Sequence, residues 1–416
     1  MGFVQSVDKG FFPLDEELEL LPGILTPHGH ENLVRLSGWM PFEKAAEMLG
    51  DLQRIEVSQA LSQRYSERAG AAYVELQTEE VERLEREMPA APNGGDKLQM
   101  SADGAMVPLL HGRWGEVRTL VIGEVQPAVQ EQGQWVVHTR NLSYFSRKVS
   151  AQEFTRLALV ETQRRGIETA VQVGALMDGS EWLQGFTDYH RPDAIRILDF
   201  PHAGEHISLI GEYLHGEGTP QTQQWINQRL HRLKHEGPTE LLVEFHQLQD
   251  QYPQENAVTG NLAYLEKRQA QMQYPLFQDQ GWPIGSGIVE SGNKLVVEVR
   301  LKGSGMHWAD EHVNPMLAIR NILCSDRWKQ EWPKIETQLR RQATQQRREL
   351  HQSRRDQKKL ITPKVLPLIS PGIIESSNSV PPEPILPDPP KQPKENPWRK
   401  FKYGRSLYQQ MDLPKN

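Results

Sequence analysis

Four short stretches of this chain put acids where acids can do chemistry: Ser101-Ala102-Asp103-Gly104, Met177-Asp178-Gly179, Asp199-Phe200-Pro201-His202 and Gly285-Ser286-Gly287-Ile288-Val289-Glu290-Ser291. The first three set a carboxylate within or at the end of an apolar, strand-like run, and the fourth sets Glu290 near the start of a helical run. Carboxylates gathered on neighbouring strands, with one more on a later helix, suit Mg²⁺ or Mn²⁺, hard cations that take oxygen ligands and keep water and phosphate in the rest of their shell. Two such ions roughly 3.5–4 Å apart activate a water or a 3′-hydroxyl and stabilise the leaving oxygen of an in-line displacement at a phosphodiester.

Each piece also has a plainer explanation. Asp-Gly is among the commonest turn signals, a glutamate in a first helical turn is usually solvated, and Asp199 can cap the next helix with His202 packed beneath it. The force of the pattern lies in joint placement. Asp199 and His202 stand three residues apart at a strand end and can act together, and Glu205 and His206 follow at once. Zinc is disfavoured there, because Pro201 interrupts the set and the single cysteine, Cys324, cannot assist. Gly285-Ser286-Gly287 lacks the Gly-x-Ser-x-Gly frame of a nucleophile elbow, and no Walker or dinucleotide glycine pattern is present.

The elements that must position these acids follow from periodicity. Residues 1–90 read as a helical domain in which Phe42–Leu49 and a second helix through Ala60, Leu61, Tyr65 and Ala69, opening at Ser58 as N-cap, trace a helix-turn-helix outline that any helical hairpin would share. After the Pro89–Gly95 linker the period turns strand-like. Strands are expected at Leu98–Leu110, Val117–Val125, Trp135–Tyr144, Thr169–Met177 and Ala194–Leu198, with helices at Ala151–Arg165 and 180–190. This β-β-β-α-β-α-β order is the ribonuclease-H-like one, an α/β (α+β) fold with a mixed sheet. The catalytic domain would span 96–202 and 283–326, interrupted by a helical insertion at 203–282. A basic helix at 327–362 and a proline-rich tail at 363–416, with no core to bury, complete the chain.

Charge is segregated along this layout. Residues 1–100 hold 18 Asp/Glu against 9 Lys/Arg, whereas residues 327–364 hold 12 Lys/Arg against 4 Asp/Glu, so the polyanion-binding segment is sought in the second and not in the first. No apolar run approaches the roughly 20 residues of a membrane span, Met1–Gly10 has no secretory pattern, and a lone cysteine fits a reducing, cytoplasmic setting. On the Glu290 helix, Lys294 lies one turn on, placed either to hold a phosphate beside the metals or to pair with Glu290. Arg300 and Lys302 would extend that track, and Trp308 would either stack on a displaced base or fill the core.

These boxes together resemble bacterial insertion-sequence transposases, and more narrowly the Kra group within the Mutator-like assemblage of DDE transposases. Gly305-Met306-His307-Trp308, Asn396-Pro397-Trp398-Arg399 and Pro13-Leu14-Asp15-Glu16-Glu17-Leu18 fit the same group. The resemblance implies a ribonuclease-H-like domain that uses Mg²⁺ to cut and rejoin double-stranded DNA at element ends, working in the bacterial nucleoid as a homo-oligomer that holds two ends. Asp103 matches the first aspartate, Glu290 the glutamate and Asp178 the second aspartate. Asp199 and His202 form a supporting box, with Asp199 the rival second ligand. The departure is at the N-terminus, where some relatives carry cysteines and this chain has none. The alternatives are a non-catalytic DNA-binding protein of transposase descent and a plain metal-dependent nuclease.

Overall fold

The computed structural model describes residue 21 and residues 23–131 and 133–361. The proline-rich tail and the Pro13–Leu18 and Asn396–Arg399 motifs lie outside the described residues. Contacts group the chain into two units, Met1–Asp356 and Gln357–Asn416. Everything below concerns the first, apart from the end of the last helix.

A five-stranded mixed sheet is the centre of this mixed α/β fold, in the order β5-β2-β1-β6-β7. β1 (Lys97–Pro108) and β2 (Trp114–Val125) form a long antiparallel hairpin, in register from Leu98 opposite Glu124 to Pro108 opposite Trp114. His111 (φ 61°) and Gly112 (φ 70°) take the left-handed conformations that turn its tip. β5 (Thr139–Arg147) pairs antiparallel with β2, while β6 (Gln172–Met177) and β7 (Ile195–Leu198) run parallel to β1 and to each other. The expected third strand at Trp135–Tyr144 is corrected. Trp135 belongs to a separate two-stranded hairpin, β3 (Val129–Glu131) with β4 (Gln134–Val136), and the sheet strand begins only at Thr139.

Alternation along β1 sends Leu98, Met100 and Ala102 to one face and Ala105 and Val107 to the other. The first face packs against α3 (Gln59–Glu87), α4 (Ala151–Leu157), α5 (Leu159–Arg164) and α6 (Glu181–His190) through Val81, Phe154, Val160 and Phe186. The single helix expected over Ala151–Arg165 is thus two, meeting at Ala158. The second face, to which Asp103 belongs by the same alternation, is covered by a helical run that starts at Gly287 and by Asp310–Cys324.

Between β7 and that run lies the expected helical segment: α7 (Phe200–His215), α8 (Pro220–Glu236), α9 (Thr239–Gln251), α10 (Asn256–Lys267) and α11 (Tyr274–Asp279). Their core of Ile207, Leu233, Phe245, Leu262 and Tyr274 is continuous with Leu176, Ile197 and Leu198 of the sheet. The Glu290 run consists of α12 (Gly287–Gly292), a π-helical segment (Asn293–Glu298) and α13 (Val299–Leu301), followed by α14 (Asp310–Cys324) and α15 (Trp328–Ile361).

At the N-terminal end, α1 (Pro27–Trp39), α2 (Phe42–Gln53) and α3 share one core with α14 and α15. Ser58 caps α3 as expected, its side chain accepting from Leu61 N at 3.2 Å, but the helix runs 29 residues and is no short second helix. A Cβ on Gly70 would lie 2.1 Å from the Pro315 carbonyl oxygen, so this glycine is what lets α3 and α14 approach. α15 passes through Pro333 without a break and buries Trp328, Trp332, Ile335 and Leu339 at helical spacing, leaving Lys329, Lys334, Arg341, Arg347 and Arg348 on its exposed side. Among the described residues no helix is long and apolar enough to cross a membrane.

Candidate active site

Strand order gathers three of the acids. The β1–β6 pairing ends with Met100 opposite Ala175, and beyond it Asp103 on β1 stays near enough to Asp178, which follows β6, for the charge of one to act on the other. β6 and β7 pair with Met177 opposite Leu198, so one residue further Asp178 falls opposite Asp199, where the Asp199 N–H donates to the Met177 carbonyl at 2.9 Å. Asp178 and Asp199 thus stand side by side just past the carboxyl ends of the two parallel strands β6 and β7, whose backbones lie about 4.8 Å apart, with Asp103 on the neighbouring β1.

Glu290 reaches these acids because its helix is fastened to them. Asp199 Oδ1 accepts the Ser286 N–H at 2.6 Å while its Oδ2 accepts the His202 N–H at 3.3 Å, so one buried carboxylate caps α7 and anchors the residue before α12. The Phe200 N–H donates to the Ile284 carbonyl at 2.9 Å, and Lys97 Nζ lies 4.1 Å from the ring centroid of buried Trp282, tying the connector to the sheet edge. At Gly292 a Cβ would sit 2.7 Å from Val121 Cγ2, so the helix touches β2 as closely as a backbone can.

Electrostatics agree with this proximity. Burial above all, reinforced by the charges of Asp178 and Glu290, raises the Asp103 carboxyl above its ordinary value, against the opposing hydrogen bonds from Gly104 and Asn293. Asp199 is raised by burial and, more weakly, by Glu290, with the Ser286 and His202 donors opposing. Asp103 Oδ1 accepts from Gly104 N at 2.6 Å and Oδ2 from Asn293 Nδ2 at 3.1 Å. Asp178 Oδ1 accepts from Ser180 N at 2.8 Å. Glu290 is exposed, and among the described residues its carboxylate makes no hydrogen bond or ion pair.

The Asp178-Gly179 turn is held from outside the sheet. Gly179 has φ +78°, and a Cβ there would meet Arg268 Nε at 2.5 Å, so the position needs glycine on both counts. Arg268, only 7% exposed, donates from Nε (2.8 Å) and Nη2 (2.5 Å) to the Gly179 carbonyl. Its guanidinium lies 3.7 Å from the Tyr264 ring centroid, and the Tyr264 hydroxyl donates to the Asp178 carbonyl. Tyr264 also stacks on His206 at 3.7 Å and meets His202 edge-on at 5.8 Å. His202 is half-buried with Nδ1 3.1 Å from Glu205 Oε2, so its ring belongs to this aromatic group and only its backbone N–H reaches Asp199.

Two expected DNA residues are core residues instead. Arg300 is 2% exposed, donates from Nε to the Ser37 carbonyl at 2.8 Å and lies over Phe42 (4.7 Å) and Trp308 (5.3 Å). Trp308 is 7% exposed and donates from Nε1 to the Leu301 carbonyl at 3.0 Å. An arginine buried over two rings, with its Nε on a backbone carbonyl, is not presented to a phosphate. Lys302 is ion-paired with Glu298 at 2.7 Å. Lys294 is exposed and makes no ion pair with Glu290.

Tyr264 and Arg268 did not stand out in the sequence, and Ser286 and Asn293 stood in the Glu290 box without a role of their own. Only Asn293 carried a signal, standing three residues after Glu290 on a helix.

Among the described residues no three His, Cys, Asp or Glu side chains close into a ready-made metal cage. The donor set still fits Mg²⁺, which is bound through one or two carboxylates, with water and substrate phosphate supplying the other ligands. Asp103 and Asp178 would hold it, with Glu290 completing the set. No protein-family model matches this chain, and no curated protein matches it either.

Proposed function

We propose that this chain is a DDE-type transposase of an insertion sequence, acting on the ends of its element by Mg²⁺-dependent strand cleavage followed by strand transfer. The observation that carries the reading is the gathering of Asp103 on β1 with Asp178 and Asp199 just past the ends of β6 and β7, and with Glu290 close enough to act on the charge of Asp103 and Asp199. The strand order β5-β2-β1-β6-β7, with two antiparallel pairings followed by two parallel ones, supports a ribonuclease-H-like core.

In this reading Asp103, Asp178 and Glu290 are the metal ligands. Asp199 is a positioning residue, because both of its oxygens are occupied by backbone donors that fix the helices on either side. Bound divalent ions would supply the charge that activates water or a 3′-hydroxyl and stabilises the leaving oxygen. The chain gathers the acids, holds the Asp178 turn through Arg268 and Tyr264, and offers exposed Lys294 and the basic side of α15 to the phosphate backbone. A homo-oligomer follows from the need to hold two ends together.

The test is cleavage and joining of end-sequence duplexes with Mg²⁺, comparing wild type with Asp103→Ala, Asp178→Asn and Asp199→Asn. Asp103→Ala and Asp178→Asn abolish both steps, while Asp199→Asn, which keeps one acceptor oxygen, retains part of the activity. Full activity in Asp103→Ala sinks the site. Cleavage without joined product identifies a plain nuclease, and DNA binding without cleavage in the wild type identifies a non-catalytic binder.

A further inference from the structure

Asn293 opens the π-helical segment three residues after Glu290 and is 6% exposed. Its Nδ2 donates to Asp103 Oδ2 at 3.1 Å, yet its Oδ1 is buried with no hydrogen-bond partner. Facing a carboxylate fixes which end of the amide is nitrogen, so the orphaned end is an acceptor with two lone pairs. A buried acceptor without a donor calls for an explanation. Gly292 presses this part of the helix onto Val121 of β2, so the amide cannot swing out to water without moving the backbone. An amide oxygen beside a carboxylate oxygen, both short of positive charge, is what a hard divalent cation takes as ligands.

We propose that Asn293 Oδ1 is an oxygen ligand of the divalent cation held by Asp103. Asn293 would thus have two functions, aligning the carboxylate through Nδ2 and supplying a neutral ligand through Oδ1. The inference rests on the metal-dependent reading above and adds a ligand that no pattern of acids, histidines or cysteines reveals.

Mn²⁺ binding to the full-length protein without DNA tests it, measured by titration calorimetry and by the Mn²⁺-induced rise in melting temperature. Asn293→Leu removes both functions in a similar volume and is expected to weaken Mn²⁺ binding about tenfold or more. Asn293→Asp keeps an oxygen in place and is expected to bind Mn²⁺ at least as tightly as wild type, whether or not the leucine variant folds. Wild-type affinity in Asn293→Leu overturns the proposal. Weakened binding in Asn293→Asp also overturns it, leaving only the Nδ2 contact. Mn²⁺ binding that Asp103→Asn leaves unchanged overturns the transposase site itself, which separates the two failures.

Discussion

Replacing Arg268 by alanine tests whether the helical insertion holds the second aspartate in place. The side chain makes two charged hydrogen bonds to the Gly179 carbonyl and a ring contact with Tyr264, 3.7 Å from its centroid. A hydrogen bond from a charged donor contributes about 1.5–3 kcal/mol, and a desolvated cation–π pair about 2 kcal/mol. Several kcal/mol of desolvation are recovered when the buried charge is removed. The net expectation is a loss of about 2–3 kcal/mol, read from the midpoint of a urea titration. Arg268→Lys keeps the charge but cannot fork onto one carbonyl, so it should recover only part of that loss. Both variants leave Asp178 in the chain but free its turn, and single-turnover cleavage should fall about 10–100-fold, the range typical of lost outer-shell support. DNA affinity should be unchanged. A wild-type cleavage rate in folded Arg268→Ala would refute the positioning role, and an unchanged urea midpoint would refute the energetics.

Four further expectations follow from the structure and, for DNA cleavage and binding, from the proposed function. Asp103→Asn removes a charge from a crowded group of acids, so it should abolish cleavage yet raise stability at pH 7 by about 1 kcal/mol. Because the wild-type carboxyl is raised above its ordinary value, its ionised form is the destabilising one, and the advantage should shrink as pH falls through the raised value. Equal melting temperatures at pH 7 would contradict this. His30, held between Tyr65 and Trp332, is lowered to about 4 by burial first and by the Arg68 charge second. The unfolded chain then binds the extra proton, so stability is complete above about 6.5 and falls as pH drops toward 4, by at most about 1.4 kcal/mol per pH unit. His30→Phe should flatten that slope in acid melts, and an unaltered slope would count against it. Arg300→Ala should cost about 3 kcal/mol in urea by orphaning the Ser37 carbonyl and emptying the space over Phe42 and Trp308, with DNA affinity of the folded fraction unchanged. Lys294→Ala should do the reverse, lowering the salt dependence of DNA binding with little effect on stability.

The sheet was legible because strands advertise themselves by alternation, and the run from Leu98 to Val107 places its apolar residues on two covered faces. The β3–β4 hairpin was not, since a three-residue strand on each side of Gly133 has no period to read. The acids could be named from the sequence, but their gathering depends on pairing between strands about 75 residues apart, which only the fold reveals. Arg300 and Trp308 show the limit of residue type. Both look made for DNA, and what decides the fate of Arg300 is the Ser37 carbonyl, 263 residues earlier, and the Phe42 ring, almost as far back. Tyr264 and Arg268 form an ordinary i, i+4 pair on a helix, and nothing in their spacing announces a turn 89 residues earlier. Asp199 is the intermediate case, because capping of the following helix was foreseeable and its grip on Ser286 was not.

The hydrogen bond between Asn293 and Asp103 spans 190 residues of chain. Closing so long a loop is slow compared with forming the local hairpins and helices on either side. The strand carrying Asp103 leaves the ribosome well before the helix carrying Glu290 and Asn293, with five insertion helices made in between. On the proposed function, a nascent chain holds its aspartates in place but lacks the glutamate that completes them. Competence to cut DNA is then conferred only once this long-range closure has formed, so a chain that ends before Glu290 carries its aspartates without the power to cut.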